Sequence, residues 1–261
     1  MLALSWKIVG NIYHPTTVAR LTTVPRVLPT IPAAVSPLVR GLVAGRVRPA
    51  VVLAAFPTAL YLGLADRDAG PGDVVAVVTS DALVLPTAVR LATPAPHPWG
   101  VAAGDVVRVG GDVIALPCHG IRVVRSWRPR RVASGAPSAT AVDWPALVAR
   151  VGRGEGLTPR ADDVLCGALL TARALGVELP ATLPLERTTS LSASLLQAAL
   201  DGYAVSCVAD HVSAAVAGSP DVDRTREQVL AIGHTSGAGL VEGIDLVLHA
   251  ATSPQPEGIL S

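Results

Sequence analysis

From Ala50 to Val132 the hydrophobic positions come in short β-branched runs broken by glycine, proline and aspartate. VVLAAF, ALYLGLA, DVVAVVT, ALVLPTAVRLA, DVVRVG, DVIALPC and GIRVVRSW have strand length, and AGPGD, TSD and GGD between them read as turns. No amphipathic helix intervenes, so the pattern predicts an antiparallel β-rich domain over residues 50–132, either a small barrel or a sandwich. Gly110-Gly111-Asp112, between two valine-rich runs, predicts a tight hairpin.

After a linker at residues 133–142 the apolar spacing becomes helical. Asp143 is placed to cap a helix over Trp144–Arg150, and Gly176 to close one over Ala161–Leu175. Ser190–Gly202 carries Leu191, Leu195, Leu196 and Ala199 at helical spacing, and Tyr203–Ala217, Arg224–Ile232 and Leu240–Ala250 continue the pattern. The expected fold class is therefore α+β, an N-terminal antiparallel β-rich domain followed by a C-terminal α-helical domain over residues 143–250. Residues 1–49 read as an irregular segment with one short helix over Ser36–Gly45, Thr22–Pro37 as irregular, and residues 251–261 as a loose tail. The absence of βαβ alternation argues against a doubly wound nucleotide-binding sheet.

Composition narrows the partners. Half of the 261 residues are hydrophobic, but every long apolar stretch is interrupted. In Val47–Leu64, for instance, Arg48, Pro49 and Pro57 break the run, so no membrane span is expected. The first residues lack a basic start and a cleavage site, and the expected location is cytoplasmic. A net charge of +1, with Lys7 the one lysine, argues against a nucleic-acid surface. Cys118, Cys166 and Cys207 are widely spaced, which speaks against a disulfide framework or a zinc site. Cys118 adjoins His119, but neighbours on a strand point to opposite faces, so a dyad is not expected. His97, His119, His211 and His249 read as loop or surface residues.

Two segments carry candidate chemistry. VGRGEGLTPRADDVLCG (151–167) places Gly154, Gly156 and Leu157 in a turn, Thr158 as an N-cap, Pro159 at the first helical position and Asp162–Asp163 in the first turn. A helix start of this kind offers outward N–H groups to an anion, and it is equally an ordinary way to begin a helix. GHTSG (233–237) brackets His234, Thr235 and Ser236 with glycines where the chain can turn sharply.

The order of these features resembles the oxamate carbamoyltransferase subunit AllH family. The resemblance rests on the β-rich half with AAFPTALYL, GxGLTPxxDD, TTxxSxxLLxxAxxG at Thr188–Gly202, and GHTSG, and it covers roughly Val51 to Ala250. It implies one subunit of a multi-subunit enzyme of allantoin breakdown that interconverts oxalurate plus phosphate with oxamate plus carbamoyl phosphate. Two departures stand out. Arg160-Ala161 replaces the family's Ser-Gly before the paired aspartates, and Ala238-Gly239 replaces Trp-Asp after GHTSG.

Carbamoyl transfer needs an anion clamp, stabilisation of charge on the carbonyl oxygen, and proton handling at nitrogen. The expected anion contacts are Gly154, Gly156, Leu157, Thr158 and Arg160, with Thr189 and Ser192 as lesser candidates. Thr235, Ser236 and Gly237 are expected beside the oxyanion, and His234, Asp163 and Asp162 are the candidate catalytic groups. The two aspartates diverge by about 100° on a helix, so one ligand is not expected to meet both. No cofactor is required by these residues, and Mg2+ is compatible with the paired acids. The expected partners are a small anionic substrate and further subunits. The alternatives are a non-catalytic assembly or regulatory subunit, and a small-molecule binding protein.

Overall fold

The computed structural model describes residues 28–253. The first twenty-seven residues of the expected N-terminal segment and residues 254–261 of the expected tail lie outside that range. Eight strands close a barrel: β1 (Thr30–Val35), β2 (Arg48–Phe56), β3 (Ala59–Leu64), β4 (Val74–Val78), β5 (Ala88–Leu91), β6 (Val106–Gly110), β7 (Val113–Ala115) and β8 (Gly120–Ser126). Their order around the barrel is β1-β5-β4-β3-β2-β6-β7-β8. Strands β2 to β8 coincide with the β-branched runs of the sequence.

Two expectations need correction. Thr30–Val35, read as irregular, is the strand that closes the barrel, between β5 and β8. Its Pro32 is tolerated because β1 pairs with β5 only from Ala33 onward, so one side of Pro32 has no ladder to break. The barrel is also not purely antiparallel, since β1–β8 and β4–β5 are parallel pairs. The segment between β4 and β5 returns to the opposite end of the barrel so that β5 runs parallel beside β4, and it carries Leu85 and Pro86 toward the helices. The hairpin between β6 and β7 is as expected: Gly111 (φ 59°) and Asp112 (φ 62°) both take the left-handed conformation that a two-residue turn of matching twist requires.

Strand β4 explains why DVVAVVT is apolar without alternation. Val75 and Val77 point into the barrel with Leu60, Leu62 and Ile121, while Val74, Ala76 and Val78 pack outward against Leu191. The strand is buried on both faces, as parallel-sheet strands usually are. Ser36 caps a 3-10 turn (Pro37–Val39) that runs into α1 (Arg40–Ala44), whose Val43 joins the barrel core with Trp99.

The helices follow: α2 (Trp144–Val148), α3 (Arg160–Ala174), α4 (Ser190–Leu200), α5 (Ser206–Val216), α6 (Val222–Leu230) and α7 (Ser236–Thr252). Asp143 caps α2 through Ala146 N at 3.0 Å. The segment expected to be a flexible linker is instead bonded to the end of α3, with Gly135 N on Arg173 O and Ser138 N on Gly176 O, both at 3.0 Å. Just before it, β9 (Arg130–Arg131) pairs with β10 (Tyr203–Ala204). His211, expected at the surface, is 1% exposed on α5, and its Nδ1 lies 3.0 Å from Thr225 Oγ1. His119 is likewise buried.

Helices α3 and α7 touch backbone to backbone. A Cβ on Gly167 would stand 2.1 Å from Leu240 O, and one on Gly243 would stand 1.9 Å from Val164 O. Only glycine permits that approach. Among the described residues no helix is long and apolar enough to cross a membrane.

Candidate functional site

The α3–α7 contact brings the two motif segments together. Ser236 opens α7 and Thr158 precedes α3, and their hydroxyl oxygens lie 3.0 Å apart although the residues are far apart in sequence. The helix begins at Arg160, with Pro159 in extended conformation as its N-cap, so Thr158 does not cap α3 as expected. Its hydroxyl is thereby free to face Ser236. Beside Ser236 sits Asp163, 7% exposed, whose Oδ2 is buried and has no hydrogen-bond partner.

Burial pushes the Asp163 carboxyl up to about 7. The neighbouring Asp162 charge adds to that rise, and the Ser236 hydroxyl and the Arg160 guanidinium work against it. An orphaned buried carboxyl of this kind costs stability, which is a common mark of a functional position.

Asp163, Thr158 and Ser236 lie at one end of a cleft of about 90 Å³. Its walls come from α3 (Cys166, Leu170), α4 (Leu195, Ala199), the β10–α5 segment (Tyr203, Val205, Val208) and α7 (Leu240), with Leu85 and Pro86 from the barrel. Burial raises the Cys166 thiol well above its ordinary range, so it is a neutral wall group and not a nucleophile. Arg131 lies over the Tyr203 ring with its guanidinium carbon 5.3 Å from the centroid.

The adjacent Asp162 has a different environment, in keeping with the divergence expected for helical neighbours. It is 1% exposed and its oxygens are fully engaged. Oδ1 accepts from Gly152 N at 2.8 Å, and Oδ2 accepts from Ser192 Oγ at 2.7 Å and from Thr188 Oγ1. It ties the glycine turn to the start of α4. Thr189 caps α4, accepting from Ser192 N at 3.1 Å and donating to Leu157 O.

The remaining predicted residues do not line the cleft. His234 and Thr235 are exposed on the turn before α7, and Gly237 packs against Val229 O. Gly154 and Gly156 are exposed, with φ of 129° and 88°. Amides at the α3 start are already used: Ala161 N bonds Arg153 O, and Asp162 N and Asp163 N bond Pro159 O. Arg160 forms an ion pair with Glu242 across the helix pair instead of facing the cleft. Among the described residues no three His, Cys, Asp or Glu side chains converge as metal ligands.

This combination of a glycine turn before paired aspartates, with a second motif meeting it across a helix pair, lies wholly in the C-terminal half. Residues 150–248 match the family model of the oxamate carbamoyltransferase subunit AllH. Nothing among curated proteins or among solved structures matches the chain. The AllH-matching region contains α3, α4, α5, α6 and most of α7, hence Thr158, Asp163 and Ser236, while the barrel contributes Leu85 and Pro86 from outside it. Within that region Arg160 pairs with Glu242. At Gly239 a Cβ would be 2.9 Å from Asp163 Cβ. The bare backbone lets α7 close over Asp163.

Leu85, Pro86 and Tyr203 were not predicted as site residues. A usable signal was present for the helix pair: Gly239 and Gly243 are one turn apart, the spacing of two helices in backbone contact.

Proposed function

We propose that the chain is an AllH-type subunit of a carbamoyltransferase, and that the cleft at Thr158, Asp163 and Ser236 holds the carbamoyl-bearing compound. The observation that supports this reading is the buried Asp163 carboxyl beside Ser236, whose hydroxyl is bonded to that of Thr158. A carbamoyl or carboxamide group has two N–H donors and one carbonyl acceptor, which complements a carboxyl and hydroxyls.

In the direction from oxalurate, phosphate attacks the carbamoyl carbon and the bond from that carbon to the oxamate nitrogen breaks. Asp163 in its protonated form gives its proton to that nitrogen and regains one from the attacking phosphate. In the reverse direction it accepts a proton from oxamate as the C–N bond forms. A carboxyl held near 7 serves both directions at neutral pH. One of the paired Thr158 and Ser236 hydroxyls donates to the carbonyl oxygen as charge develops on it, while the other donates to its neighbour.

Asp162, Thr189 and Ser192 act as positioning residues that fix the Gly154–Gly156–Leu157 turn against α4. His234 and Thr235 form the turn that presents Ser236, and Gly237 packs the first turn of α7 against Val229 O. Arg160 is engaged by Glu242, so the anionic end of the substrate takes its counter-charge from a partner subunit, in keeping with a multi-subunit enzyme.

The test is carbamoyl phosphate formation by the complex reconstituted with Asp163→Asn. Loss of turnover with assembly intact supports the reading. Full turnover removes Asp163 from the chemistry.

A further inference from the structure

The barrel carries two facing imidazoles that the carbamoyl reading does not use. His97 lies between β5 and β6, and His119 between β7 and β8. Their Nε2 atoms are 3.1 Å apart, the ring centroids 5.1 Å apart and the planes at 83°, so the nitrogen edges are turned toward each other. The main chain fixes both placements without any bond between the rings. His97 N donates to Pro57 O at 3.0 Å, and His119 O accepts from Leu116 N at 2.9 Å. The His97 ring packs edgewise on Trp99 at 4.5 Å between centroids, and the Trp99 indole N–H is itself tied to Phe56 O at 2.6 Å.

We propose that His97 and His119 bind a divalent transition metal ion of the zinc class through both Nε2 atoms. Two imidazole nitrogens on a tetrahedral zinc stand about 3.3 Å apart, so a few tenths of an ångström of opening seats the ion. Imidazole suits zinc, copper and nickel, whereas magnesium and calcium prefer oxygen. Burial lowers both rings below the ordinary histidine range, which keeps them in the neutral form that metals require. Each neutral ring has one proton and one lone pair. In the hydrogen-bonded pair one Nε2 holds a proton. On binding, that ring's proton moves to Nδ1 by exchange with water, both Nε2 lone pairs meet the ion, and the pair releases no net proton.

Among the described residues no third His, Cys, Asp or Glu joins them, so water completes the shell. Half the ligands of a structural zinc site give about half its binding free energy, and hence a Kd on the order of 10 µM. The ion would join the loops that lead into β6 and β8, with the β2–β3 turn attached through Pro57 O. It would therefore staple one end of the barrel. The pair lies outside residues 150–248, and the inference is independent of the carbamoyl reading.

Calorimetric titration of the full chain with zinc at pH 7 tests it, with magnesium as the comparison ion. One equivalent of zinc should bind and raise the thermal midpoint, and magnesium should do neither. Loss of a second-shell partner already weakens metal sites by 10- to 100-fold, so His97→Ala and His119→Ala should each cost about tenfold or more. In the unmutated chain zinc should shift the ring NMR signals of His97 and His119 together, which makes the outcome independent of how the variants fold. Binding that survives both substitutions, as it would on the exposed His234, overturns the proposal. So does the absence of binding up to about 1 mM zinc, or a zinc response that leaves the two ring signals unmoved.

Discussion

Replacing Asp163 by asparagine should stabilise the protein, and the gain should depend on pH. In the folded chain the carboxyl sits at about 7, against an ordinary value of 3.8. Below 3.8 both folded and unfolded chains carry the proton, and the carboxyl contributes no pH dependence. Between 3.8 and about 7 the folded state keeps a proton that the unfolded state releases, so stability falls as pH rises. Above about 7 the whole cost is present, and the interval from 3.8 corresponds to about 4 kcal/mol. Asparagine keeps the shape of the side chain and cannot ionise. Urea unfolding of both proteins, stepped from pH 4 to pH 8, gives the difference directly. Asp163→Asn should gain on the native chain as pH rises and be ahead by up to about 4 kcal/mol at pH 8. A difference that stays flat across that range would refute the buried, protonated carboxyl and with it the proton-transfer role.

Four further outcomes are expected. Gly243→Ala puts a Cβ 1.9 Å from a backbone oxygen and should cost about 3 kcal/mol or more, read as a lowered thermal midpoint. Asp162→Ala leaves the Gly152 amide and the Ser192 and Thr188 hydroxyls without their acceptor and should cost about 3 kcal/mol in urea unfolding. Arg160→Gln removes a charge that favours ionised Asp163, so the pH midpoint in the experiment above should move upward. His97 and His119, whose Nε2 atoms are 3.1 Å apart, are both lowered by burial, and ring-proton NMR should place their titrations below 6.5. Stability tied to that pair is present above 6.5 and is lost as pH falls.

The elements were legible wherever one local signal decided them. Strands β2 to β8 are spelled by β-branched runs and their turns, and α2 and α4 by Asp143 and Thr189 as caps. Strand β1 was not legible, because TIPAAV contains a proline whose tolerance depends on which neighbour pairs where. The parallel pairs were hidden for a similar reason: sequence shows which runs are strands, but pairing is a property of distant neighbours. At the site, the two motifs were visible as candidates. The side chains that face one another across them, Thr158, Asp163 and Ser236, were selected by the α3–α7 glycine contact. The same glycines leave His234 outside the cleft, although its residue type made it the stronger candidate in the sequence.

Strand β4 has a consequence for how this chain can be divided. Its outward valines, with Leu85 beside them, form half of a seam whose other half is α4. A barrel expressed without residues 143–253 would present that greasy stripe to water, and the helical fragment would present its counterpart. Each half would be sticky alone and would recover solubility when mixed with the other. The segment matching the family is thus inseparable in practice from the barrel beside it, which serves it as a scaffold wall and supplies two residues to the cleft's rim.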